Sequence, residues 1–114
     1  MTDDLFGEAM ARLDLAEKRV AQMRRAGVQF AENKGAYEVA VHDATLREKA
    51  KGTAASNIHD IVKGIPEVSA LGVARDCAEV NYKAFEHEIN LHKLRARILN
   101  DQLGREWGSV RGGA

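Results

Sequence analysis

The side chains able to begin a catalytic or metal-binding chemistry are four histidines (His42, His59, His87 and His92) and one cysteine, Cys77. His87-Glu88 followed by His92 comes within one residue of the helical zinc motif, in which two imidazoles four positions apart meet one ion. Leu91 stands where the second histidine would be needed. Five residues at about 100° each turn His92 roughly 140° away from His87, so the two rings cannot share a metal within one helix. Glu88 and His92, four apart, can chelate as a pair, but two ligands do not close a site. Cys77 has no histidine near it in sequence, and a thiol whose pKa is not lowered acts as a small apolar group. The ten glycines are scattered or terminal, and none opens a helix after a strand as a phosphate loop does. Asp3 and Asp4 sit at a helix start, where capping explains them. These patterns argue against an enzyme and call for no metal and no cofactor.

The elements that must carry these residues are two long helices. Steps of three and four residues link Phe6, Ala9, Leu13, Ala16, Val20, Met23, Gly27, Phe30, Lys34, Tyr37, Val41 and Ala44, with only Gly27 and Lys34 breaking the apolar character. A second seam reads Ala78, Tyr82, Phe85, Ile89, His92, Ala96, Leu99 and Leu103. A 3.5-residue period kept this long requires two helices lying side by side. The expected fold is therefore all-α: a long antiparallel, coiled-coil-like helical hairpin with a short connecting helix. His92, the one polar residue of the second seam, is expected to set register or hydrogen-bond across it.

Boundaries follow from caps and breakers. The first helix is expected over 3–51, with Asp3 or Asp4 at its positive end and Lys49, Lys51 and then Gly52 at its stop. Gly27 and Gly35 weaken it by up to about 1 kcal/mol each, and Gly27, on the seam, reads either as a bend or as a close approach of the partner helix. Gly-Thr-Ala-Ala-Ser-Asn at 52–57 is the connector. Ser56 or Asn57 would cap a short helix over 57–63, ended by Gly64. The only proline, Pro66, opens a helix over 66–107, and the glycines of 108–114 predict a flexible tail to this single 1–114 helical domain.

The last helix carries a second apolar line, Val80, Ala84, Leu91, Leu94 and Ile98, about 160° around from its seam. Its cover is either a second copy of the chain, with Leu91, Leu94 and Ile98 as the oligomer interface, or the segment from Ile58 to Leu71. A homo-oligomer is the expectation. Pairs such as Glu8 with Arg12, Asp43 with Arg47 and Asp101 with Arg105 are acid-first partners four apart and mark solvated faces.

Seventeen basic and seventeen acidic side chains cancel, so no net field holds a polyanion. Basic residues nevertheless cluster as Lys18, Arg19, Arg24 and Arg25 and as Lys93, Arg95, Arg97 and Arg105. Arg24, Arg25, Lys93, Arg95, Arg97 and Arg105 are the candidate contacts for a partner or for phosphate. With six aromatics in the chain, a base-stacking platform is poorly supplied, and nucleic acid is possible but not favoured. Trp107, four residues after Leu103, either extends the seam or anchors a partner. A single cysteine, an acidic Met1-Thr2-Asp3-Asp4 start and no apolar run of roughly 20 residues point to a cytoplasmic protein without membrane contact.

Ala78-Glu79-Val80-Asn81-Tyr82-Lys83-Ala84-Phe85-Glu86, continuing through Ile89-Asn90, Arg97-Ile98-Leu99, Gln102-Leu103 and Glu106-Trp107, resembles the last helix of small accessory proteins of tailed bacteriophages and prophages. Tyr37-Glu38-Val39-Ala40 and Arg47-Glu48-Lys49 are similar in layout to the first helix of those proteins. The resemblance covers most of the chain, departs most between Gly52 and Leu71, and implies a small helical fold, a host-cell cytoplasmic location and no catalytic residue. The resulting expectation is a non-enzymatic protein that binds a protein partner through a helical surface, inhibiting a host or defence complex or assisting phage DNA processing. Direct nucleic-acid binding, and an oligomeric sponge for a small anionic ligand near Arg95 or Arg97, are the alternatives.

Overall fold

The computed structural model describes residues 2–112, with side chains from 3 to 108. The chain is all-α: α1 (Thr2–Ala50), α2 (Ala55–Lys63) and α3 (Pro66–Gly112). Asp3 and Asp4 occupy the first turn of α1, where carboxylates meet the positive end of the helix. Its other end is a full Schellman motif. Gly52, the one described residue with a left-handed backbone at φ 81, donates its N–H to the Lys49 carbonyl, and Thr53 donates to that of Glu48, both at 3.1 Å. Neither Ser56 nor Asn57 caps α2; Ala54 holds that place, without a side-chain hydrogen bond. Gly64 ends α2, donating to the carbonyls of Asp60 and Ile61, each at 3.1 Å. Pro66 is the first residue of α3, where its missing N–H costs nothing. The helix expected to stop at Trp107 runs through Gly112, so the tail expected over 108–114 is helical for most of its length. Gly113 and Ala114 lie outside the described residues.

The helices form two compact units: one from the residues up to Arg24 with those from Lys83 onward, the other from Arg25 to Tyr82. In each, α1 packs antiparallel on α3.

In the unit of residues 25–82, α2 folds against α1. Ala44, Ile58, Val62 and Val68 form a buried cluster with Tyr37, Ala40, Val41 and Ile65 packed on it. Further along, the seam depends on two glycines. A Cβ on Gly27 would lie 3.2 Å from Tyr82 Cε2, and one on Gly72 would lie 3.2 Å from Tyr37 Cε2. Each helix thus lends a glycine to receive the other helix's tyrosine ring, and the close-approach reading of Gly27 is the observed one. α1 remains a single helix through Gly27 and Gly35. The Arg75 guanidinium lies 4.2 Å from the centroid of the Tyr37 ring, a cation–π contact that holds the ring in place. Asn33, not Lys34, serves the seam: its Nδ2 donates to the Ala74 carbonyl at 3.2 Å, whereas Lys34 is exposed.

In the other unit Ala9, Ala16, Ile89, His92, Ala96 and Leu103 are buried. The α3 seam is the expected one throughout, with every member from Ala78 to Leu103 buried or half-buried. The α1 seam is the expected one at Ala9, Ala16, Val20 and Met23, all buried or half-buried, and departs from it at two positions. Phe6 and Leu13 are 53% and 41% exposed, while Leu5 and Arg12 are half-buried. The physical reason is the turn of the helix: with Ala9 and Ala16 facing inward, about 100° per residue leaves Phe6 and Leu13 at the rim on one side and brings Leu5 and Arg12 partly in on the other.

Candidate interaction surface

Of the residues with chemical potential, His42, His59 and His87 are exposed, and so is Cys77. His92 is buried at 7% exposure. Its Nε2 lies 3.4 Å from Glu88 Oε1. That oxygen is also 2.8 Å from Arg19 Nε across the helix pair, an ion pair that lacks the alignment of a hydrogen bond. The seam histidine thus reaches α1 through a carboxylate that is itself paired with Arg19. Arg19 also donates from Nη1 to Gln22 Oε1. Among the described residues, no group of three or more His, Cys, Asp or Glu is placed to hold a metal ion, and no helix is long and apolar enough to cross a membrane.

At the end of α1, Glu48 is nearly buried yet serves structure. The Thr53 hydroxyl donates to its Oε2 at 2.8 Å, and this bond, aided by the Lys51 ammonium 3.5 Å from Oε1, holds its pKa below the ordinary carboxylate range. A cleft of about 440 Å³ lies nearby, lined by Ala40, Asp43, Arg47, Ile65, Glu67 and Val68. Its charges are of both signs.

The candidate cations Arg24, Arg25, Lys93, Arg95, Arg97 and Arg105 are all exposed, but they do not form one patch. Arg19 facing Glu88 sets Arg24 level with about residue 83, some 15 Å along the axis from Lys93. Arg25 belongs to the other unit. Arg95 and Arg97, two positions apart, point about 200° from each other. Arg97 and Lys93 line a groove of about 520 Å³ with Phe6, Met10 and Leu13. Arg95 lines a smaller one of about 280 Å³ with Glu8, Arg12, Ile98 and Leu99. The two grooves lie on opposite flanks of the same helix pair. A phosphate-tracking protein would want these cations in one stripe.

The apolar candidates are open. Leu91, Leu94 and Ile98 are 45%, 48% and 53% exposed, and Trp107, which does not extend the buried seam, is 52% exposed. Ile58, Val62, Ile65 and Val68, expected as one alternative cover, pack with Ala44 and its neighbours. Phe6, Met10 and Leu13 form a second open line, on one flank of the helix pair. Its spacing of four and three is present in the sequence, but heptad spacing assigns Phe6 and Leu13 to the seam. Likewise, Gly27-Val28 and Gly72-Val73 each precede a tyrosine ten positions after the glycine (27 to 37, 72 to 82), a signal for the reciprocal ring contacts.

No protein family, curated protein or solved structure matches the chain. None of them supports the likeness to phage accessory proteins.

Proposed function

We propose that this is a non-enzymatic interaction protein of the tailed-phage accessory type, which binds a protein partner through the helical surface of the unit containing residues 3–24 and 83–108. In that role it inhibits a host or defence complex or assists phage DNA processing, and it self-associates through Leu91, Leu94 and Ile98. One observation carries the reading: a helix pair whose seam is closed by Ala9, Ala16, Ile89 and Ala96 still leaves Phe6, Met10 and Leu13 on one flank and Leu91, Leu94 and Ile98 on the outer side of α3 between 41% and 53% exposed. Lines of large apolar side chains at helical spacing, left open beside a finished seam, are characteristic of binding faces.

The test is capture from a bacterial lysate by the tagged full chain, by a variant that combines Met10→Glu with Leu94→Glu, and by Cys77→Ala. The reading requires a protein retained by the first and third and lost with the double variant. Identical retention by all three, or retention abolished by nuclease, would overturn it.

A further inference from the structure

We infer that the groove between Phe6, Met10 and Leu13 on α1 and Lys93 and Arg97 on α3 is a docking site for an acidic amphipathic helix of another protein. The inference rests on the reading of this unit as a protein-binding surface and specifies its partner. Phe6, Met10 and Leu13 stand at i, i+4 and i+7 along about 10 Å of α1 and form an apolar wall. The floor is Ala9 and Ala96, 3% and 4% exposed, so the groove is bounded below by the smallest side chains of the seam. A third helix can lay a ridge of apolar residues along such a trough.

The opposite wall decides the chemistry. Lys93 and Arg97 are exposed, line the same groove and stand one turn apart, the spacing that meets acids at i and i+4 on a guest helix. A second copy does not fit. A two-fold interface repeats the same patch on both sides. With the axis along the helices it would lay Phe6, Met10 and Leu13 on Lys93 and Arg97; with the axis across them it would set Lys93 and Arg97 against themselves. Both arrangements leave the cations without acids. A duplex would leave three large apolar side chains against phosphate and water.

The experiment titrates the full chain, with labelled methyl groups, with two helix-forming peptides of about 14 residues. Both carry leucine at i, i+4 and i+7; one has glutamates four apart on the adjoining flank and the other has lysines there. The glutamate peptide is expected to bind about ten-fold more tightly and to shift the methyl signals of Ala9, Met10 and Ala96. Lys93→Glu combined with Arg97→Glu, both at exposed positions, is expected to reverse the preference, and the advantage should shrink between about 0.05 and 0.5 M salt. Equal affinities, no binding at millimolar peptide, shifts confined to Leu91, Leu94 and Ile98, or displacement of the glutamate peptide by duplex DNA would each overturn the inference. Because Leu94 lies outside this groove, the capture experiment can still succeed when the groove fails, so the two failures are distinguishable.

Discussion

Alanine at Gly72 and alanine at Gly35 should move stability in opposite directions, although both replace a glycine inside a helix. In the absence of tertiary contact, each substitution favours the folded state by about 1 kcal/mol, because alanine restricts the unfolded chain and glycine is a poor helix former. At Gly35 a Cβ meets nothing within 4 Å, so that gain should appear in full. At Gly72 the new methyl would stand 3.2 Å from Tyr37 Cε2 and 3.6 Å from Cδ2. The ring cannot simply withdraw, since the Arg75 guanidinium sits 4.2 Å from its centroid. Overpacking of this kind costs about 1–3 kcal/mol; set against the helix gain, the net is a loss of about 1 kcal/mol. For a chain of this size that corresponds to a Tm about 4 °C lower for Gly72→Ala and about 4 °C higher for Gly35→Ala. Thermal unfolding followed by far-ultraviolet circular dichroism measures both. In a Tyr37→Leu background, where the ring is gone, the penalty at Gly72 should vanish and leave only the gain. If Gly72→Ala stabilised the protein as much as Gly35→Ala does, the ring-over-glycine packing of α1 on α3 would be wrong.

Leu94→Glu should move the sedimenting species toward monomer; a wild-type chain that already sediments as a monomer at high micromolar concentration would remove the self-association claim. Cys77→Ala and His87→Ala should be silent in any partner-binding assay, and loss of activity in either folded variant would overturn the non-enzymatic reading. The lowered pKa of Glu48 gives a pH signature with a definite sign. A carboxylate whose folded pKa lies below its unfolded value stabilises the fold above the unfolded pKa of about 4.3 and loses that contribution as pH falls through the folded value. Thr53→Val removes the main cause of the shift. Its Tm deficit should be widest above about pH 5 and should close below the carboxylate range; a deficit that does not change with pH would refute the assignment.

Much of the fold was legible because the period of large apolar residues is a local property. The α3 seam from Ala78 to Leu103 and the stop at Gly52 could be read directly. The α1 seam reads correctly at Ala9, Ala16, Val20 and Met23 but not at Phe6 and Leu13: a heptad count turns every large apolar residue inward, whereas these two stand at the rim beside the two alanines. Heptad spacing puts Lys34 on the seam, but Asn33 has the short amide that reaches the Ala74 carbonyl. The ring contacts of Tyr37 and Tyr82 join residues on different helices: the glycine-to-tyrosine spacing of ten is visible in each helix, but not which glycine receives which ring. The division of Arg95 from Arg97 follows from 100° per residue and could have been read; what the sequence alone lacked was the second wall of each groove, contributed by α1.

The central claim is that the unit closed by Ala9, Ala16 and Ala96 presents open helical flanks to a protein partner. Photo-crosslinking residues placed singly at Met10, at Leu94 and, as an exposed control in the other unit, at His59 test it most directly in cells where the protein acts. The account predicts covalent protein adducts from Met10 or Leu94 and none from His59. Adducts to nucleic acid, or none at either flank, would contradict it.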